Sequence, residues 1–128
     1  MYVRFVVDEI DASSGVELGI FQAMYRLWGA GKLLPSEEAW WLDVCDWFNV
    51  ELEKPEQLTR SRRSGAESCA ISWFKVSATA HIRRARELVA LLAEHDVHSR
   101  MLRSDRPGYV VYEDDFQVTA EPFRPEHR

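Results

Sequence analysis

No stretch of this chain constrains its fold more than Ser77 to Asp96. Ile82, Ala85, Val89 and Leu92 recur there at three- and four-residue spacing, with Arg83, Arg84, Arg86, Glu87 and Glu94 mostly between them. That is the pattern of a helix with one apolar stripe. Such a stripe must be covered, and three short alternating segments that follow, out to Phe123, supply a sheet that can cover it. Ser77 or Thr79 is placed to cap the helix start, but neither has Glu or Gln three residues later, so the reciprocal capping box is missing.

The first half of the chain adds a strand and two helices. Tyr2 to Val7 alternates Val3, Phe5 and Val7 against Tyr2, Arg4 and Val6, as a strand with one buried face does. Asp8 to Gly15 is polar and turns at Ser-Ser-Gly; Leu18, Phe21, Tyr25 and Trp28 then line one side of a helix that Gly29 and Gly31 end. Pro35 and Ser36 open the next helix, with Glu37 and Glu38 offsetting the positive end of its dipole, and Pro55 stops it after Leu52. A short Gly- and Pro-containing turn makes the two an antiparallel pair. The second is apolar on more than one side: Trp41, Val44, Cys45 and Phe48 form a stripe that Trp40 and Trp47 widen. Either it is sandwiched in the core, or tryptophan surface is left for a partner.

Lys54 to Ser68 has almost no apolar residues and reads as a mobile loop, and Ala70 to Lys75 as a strand leading into the helix of Ser77–Asp96. Val97 to Arg103 is an edge or half-exposed strand. Asp105 to Gly108 is a turn, and Tyr109–Glu113 and Phe116–Glu121 pair about Asp114 and Asp115. The expected fold is α+β: a two-layer domain with a mixed four- or five-stranded sheet and about three helices on one face. If the strands flanking the Ser77–Asp96 helix are neighbours, they are parallel with a right-handed crossover. Residues 1–123 form one globular domain and 124–128 a loose tail.

Composition narrows the function classes. At 128 residues and 46% apolar the chain can bury a core without staples. No apolar run approaches the roughly 18 to 20 residues of a membrane span, and no secretory signal pattern opens the chain, so a cytoplasmic protein is expected. Cys45 and Cys69 have no metal-knuckle or redox spacing and read as free thiols. The net charge of −5 argues against generic nucleic-acid binding. It is unevenly spread: residues 1–56 hold 4 basic and 11 acidic side chains, residues 57–106 hold 10 and 5, and residues 107–128 hold 2 and 5. The simplest reading is that these blocks face one another in the fold.

Ile71-Ser72-Trp73-Phe74-Lys75, followed by Gly108-Tyr109-Val110-Val111-Tyr112-Glu113-Asp114, resembles the pattern of a small uncharacterised bacterial protein family over most of the chain. The resemblance implies no activity, ligand or cofactor.

Three constellations offer chemistry. Trp40, Trp41 and Trp47 suggest a surface for a protein partner or for a second copy of the chain in a homodimer, in a non-enzymatic interaction or regulatory protein without a cofactor. Arginine predominates over lysine, and Arg60, Arg62, Arg63, Arg83 and Arg84, with Trp73 or Tyr109 to stack on a base, form the alternative: a nucleic-acid or phosphate-ligand site. Arg86, Arg100, Arg103 and Arg106 extend this basic set. Glu113, Asp114, Asp115 and Glu121 supply oxygen ligands for a divalent cation, the second alternative being a metal-dependent hydrolase in which Glu113, Asp115 and Glu121 hold the metal. Adjacent Asp residues are first of all turn formers. His81, His95 and His98 have no zinc spacing, and no phosphate-binding glycine loop, nucleophile elbow or dinucleotide fingerprint is present.

Overall fold

The computed structural model describes residues 1–12, 15–53 and 70–123. The strand β1, Tyr2–Ile10, runs three residues past its alternating part. The extension pairs with a short strand that alternation does not signal, β2, Glu17–Gly19, with Val6 opposite Gly19 and Ile10 opposite Glu17. The turn between them is held by Asp11, whose carbonyl accepts the Gly15 N–H at 2.8 Å while its own N–H donates to Val16 at 2.8 Å.

Helix α1, Ile20–Gly29, buries Ile20, Ala23 and Met24. This differs from the expected stripe: Leu18 belongs to β2, and Tyr25 is 52% exposed. Two stripes at helical spacing coexist in this segment. The aliphatic one meets the sheet, while Phe21 and Tyr25 turn toward a cleft described below. Gly31, at φ +71°, takes the left-handed turn that ends the helix. Helix α2, Pro35–Glu51, starts as expected, with Glu37 Oε1 accepting the Leu34 backbone N–H at 2.8 Å. It runs antiparallel to α1: Trp28 Nε1 donates to Glu38 at 2.9 Å, and Phe21 packs edge-on to Phe48 at 4.9 Å.

Strand β3, Ile71–Lys75, leads into α3, Thr79–Glu94. Ala78 occupies the cap position and no side chain caps it, so neither Ser77 nor Thr79 plays that part. The buried face of α3 is His81, Ala85, Leu88 and Leu92, with Ile82 and Val89 at its margins. The rotation relative to the expected stripe follows from His81, which can be buried because its Nε2 lies 2.7 Å from the Glu51 carbonyl at the end of α2. Strands β4, Ser99–Ser104, β5, Tyr109–Glu113, and β6, Gln117–Glu121, complete the chain's described part.

The fold is α+β in two layers, but among the described residues the sheet is six-stranded and its pairings are antiparallel, not mixed. The reason is the place of β1. It pairs with β4 along Tyr2–Val7 and, on its opposite side, with β3 at Tyr2 and Val3. The strands flanking α3 are therefore parallel to each other yet separated by β1. From β3 the order continues to β6 and then β5. Gly108, at φ +152°, enters β5 where any Cβ would overlap the Glu121 backbone. One core lies between the sheet and the helices, with Val3, Phe5 and Val7 against Met24, Trp41, Val44, Ala85, Leu88 and Leu92.

Candidate functional site

On the side of β1 away from β4, the pairing has a break. β3 pairs at Tyr2 and Val3, β2 at Val6 and Ile10, and Arg4 and Phe5 fall between. The two partner strands diverge here because β2 turns into α1 at Ile20 while β3 enters from Ala70. The gap opens into a cleft of about 520 Å³ beneath the C-terminal half of α2, within the size range of small-molecule sites. Phe5, Ile20, Phe21, Phe48, Leu52, Ile71, Trp73 and Phe74 form its apolar walls. Arg4, Asp11, Gln22, Tyr25, Cys45, Asn49, Glu53, Ser72 and Gln117 are the polar groups placed among them.

Arg4 is the unusual member, since its side chain belongs to a central strand and the residue is only 8% exposed. Its Nη2 donates to the Glu17 carbonyl at 2.7 Å. Burial pushes its pKa down, with Glu17 and Asp11 pulling the other way. The Glu17 carboxylate is directed elsewhere, accepting from Arg100 Nη2 at 2.7 Å. Hydrogen bonding to its own backbone and then, against the cost of burial, the Arg100 contact hold Glu17 below the usual carboxylate range. Gly19, the cap residue of α1, touches the same place: a Cβ there would lie 3.5 Å from Arg4 Nη2 and 4.0 Å from Gln22 Oε1.

The far wall is fixed by Gln117, 2% exposed, whose Nε2 donates to the Glu53 carbonyl at 2.6 Å and to Asp114 Oδ2 at 3.1 Å. Ser72 and Thr119 share a hydroxyl hydrogen bond of 2.8 Å across β3 and β6. These contacts tie the floor of the cleft to the sheet without using groups that reach its interior from α1 and α2. A cleft of this kind, apolar with a few oriented polar groups, binds and orients a small molecule. Within it the Tyr25 hydroxyl and the Cys45 thiol are hydrogen-bonded to each other, and burial first and Cys45 second push the Tyr25 pKa up.

The residues singled out from sequence are distributed differently. Trp41 is fully buried and packs edge-on to Tyr25 at 5.2 Å. Trp40 and Trp47 are partly buried against the core, Trp47 lying 5.0 Å from Phe48 and 5.1 Å from His81. Trp41 is thus consumed by the core, while Trp40 and Trp47 pack against it and keep part of their surface in solvent. Arg60, Arg62 and Arg63 lie outside the described residues. Arg83 is exposed, and Arg84 is engaged with Glu87 at 3.2 Å and with the Trp47 ring at 5.3 Å. Trp73 lines the cleft, whereas Tyr109 packs edge-on to Phe123 at 4.8 Å at the end of the sheet, so these two do not form one stacking platform.

The carboxylates do not converge. Glu113 pairs opposite Val118 and Glu121 opposite Tyr109, at opposite ends of the β5–β6 hairpin. Lys75 does reach Glu113, at 2.8 Å, in an ion pair that raises the lysine pKa chiefly through this hydrogen bond. Asp114 closes the turn, its Oδ1 accepting the N–H groups of Phe116 at 2.8 Å and Gln117 at 3.0 Å. Burial opposes its charge, but these bonds and those from Gln117 and Tyr112 outweigh it and hold its carboxyl low. Burial and the bond to Asp114 push Tyr112 up to about 12. No group of three or more potential metal ligands is found among the described residues, which corrects the assignment of Glu113, Asp115 and Glu121 to one metal.

Sequence reasoning placed Arg4 on a solvent face and did not single out Gly19, Gln22 or Gln117. The available signal was the run Val3–Val7, apolar on both faces of the strand except at Arg4. Among the described residues, no helix is long and apolar enough to cross a membrane. No family model, curated protein or solved structure matches this chain.

Proposed function

We propose that this chain binds a small molecule in the cleft between β2 and β3, acting as a binding or sensing protein. The observation that carries the reading is the break in the sheet at Arg4 and Phe5, which leaves a 520 Å³ space lined on one side by aromatic rings and on the other by a buried arginine. Filling such a space with apolar atoms of a ligand is favourable by roughly 25 cal/mol per Å² of apolar surface removed from water. The neutral fluorescent probe N-phenyl-1-naphthylamine tests this. Saturable binding with one site per chain is expected, lost when Asn49→Trp fills the mouth from α2. Absence of binding, or binding indifferent to that substitution, contradicts the proposal.

A protein partner is the second reading, here at the end of the sheet. Tyr109 is 64% and Phe123 39% exposed, and Arg106 lies 5.2 Å above the Phe123 ring, beside the terminal strand β5. Sedimentation at rising concentration tests it: self-association abolished by Tyr109→Asp supports a homomeric contact there, and a strict monomer removes that form of it.

A further inference from the structure

Resting on the reading of the sheet end as a contact between copies of this chain, we infer that the partner is a second copy whose β5 lies antiparallel beside β5, joining the two sheets at their terminal strands. In the sheet order β5 is terminal, paired with β6 alone among the described residues. A strand in that place presents a row of backbone N–H and C=O groups that a further strand can take up, and sheets blunt such edges by brevity or by charge. The other two edges are blunted in these ways. β2 is three residues long, and β4 carries exposed Arg100 and Arg103, the first drawn to Asp8 at 3.4 Å and to Glu17 at 2.7 Å. In β5, Tyr109, Val110, Val111 and Tyr112 are uncharged, and its one charge is Glu113 at the end. Its register against β6 shifts between Val110 and Tyr112, and the added twist keeps the seam short and the association reversible.

Charge at the two ends of β5 decides the orientation. Arg106 precedes the strand, exposed, with its guanidinium 5.2 Å from the Phe123 ring. Glu113 and Asp115 lie at the other end, both exposed. A parallel neighbour sets arginine beside arginine and acid beside acid. An antiparallel neighbour sets each Arg106 against the acidic end of the other copy, twice about one two-fold axis, which is a closed dimer. Pairing centred on Val111 puts Tyr109 opposite the partner's Glu113 and Pro107 opposite the partner's Asp115, with Arg106 next to it. Exposed rings meet in the same arrangement: Tyr109 and Phe123 stand at the basic end, and Phe116, 41% exposed, at the acidic end. Lys75 engages Glu113 at 2.8 Å, so Asp115 is the carboxylate to vary.

Sedimentation velocity on the full chain tests the inference. The unmodified chain is expected to dimerise reversibly. Arg106→Glu and Asp115→Arg should each weaken that dimer by about tenfold or more, because each places two like-charged pairs on the seam. An equimolar mixture of the two variants should recover the wild-type affinity, since both contacts then join opposite charges. A mixture no tighter than either variant alone would overturn the antiparallel pairing. Association that Tyr109→Asp abolishes and both charge variants leave unchanged would overturn the β5 seam while the sheet-end reading stands. A strict monomer would remove that reading itself. If either variant does not fold, the wild-type dimer decides: added salt should weaken it by screening the paired charges, and a dimer indifferent to salt would overturn the charge pairing.

Discussion

Beneath α3, β1 contributes Val3, Phe5 and Val7 to a closed apolar layer in which Ala85, Leu88 and Leu92 retain no exposed surface. One residue out of phase, at the β2–β3 break, the same strand contributes Arg4 to an open cleft among Gln22, Asn49, Ser72 and Gln117. The difference shows how one strand serves two ends. Where partner strands run continuously, as β4 does along β1, the helices can close over the sheet. Where two partners meet end to end and diverge, there is room that the apolar side chains of the described residues do not fill, and buried polar groups line it.

The comparison can be broken most sharply on the closed side. Leu88→Ala removes a fully buried side chain and should lower unfolding free energy by about 2–5 kcal/mol in urea titration. Probe affinity per folded molecule should stay unchanged, because Leu88 does not line the cleft. Gly108→Ala comes next: its Cβ would collide with the Glu121 backbone, at a backbone angle unfavourable to L-residues, and a loss of about 1–3 kcal/mol is expected. A stability equal to wild type would contradict the entry geometry of β5.

On the open side the loss should be small. Arg4 is buried at a desolvation cost that the Glu17 and Asp11 charges oppose, and exchanging buried charge for apolar volume is near neutral only where the groups left behind keep partners, as the Glu17 carboxylate does in Arg100. Arg4→Met should therefore leave stability within about 1 kcal/mol of wild type. A large loss of stability would identify Arg4 as part of the framework instead of the site.

The smallest effect concerns acid. Asp114 and Glu37 both have carboxyls held below their ordinary range; for Glu37 the Leu34 N–H is the first cause, burial opposes, and the His95 contact at 2.9 Å adds to the lowering. A depressed folded-state pKa stabilises above the unfolded value, and that contribution is lost as pH falls through the folded one. Stability should thus decline below the ordinary carboxylate pKa of about 4. Asp114→Asn and Glu37→Gln should each flatten that decline in denaturation midpoints measured across the acid range. An unchanged slope in both would contradict the assigned hydrogen bonds.

Periodicity made the elements of the closed side legible: α2, α3 and the strands from β3 to β6 lie close to where apolar spacing puts them. Local signals could not reveal what depends on distant partners. His81 is buried because the Glu51 carbonyl is there to meet it, and β1 is interior because β3 and β4 flank it. The surplus aromatics of α2 were visible as a surplus, but only the positions of Tyr25, Phe48 and His81 show where they go. Arg4 was least legible. A charge in a strand is ordinarily a solvated one, and its burial follows from a strand, Glu17–Gly19, too short to register as a pattern.

The most direct measurement is a heteronuclear NMR titration of the full chain with 1-naphthoate, a water-soluble planar aromatic molecule that fits a cleft of this size. The cleft account predicts saturable amide shifts centred on Arg4, Phe5, Gly19 to Gln22, Asn49 and Ser72. Shifts confined to Tyr109, Phe116 and Phe123, or none at concentrations well above millimolar, would contradict it.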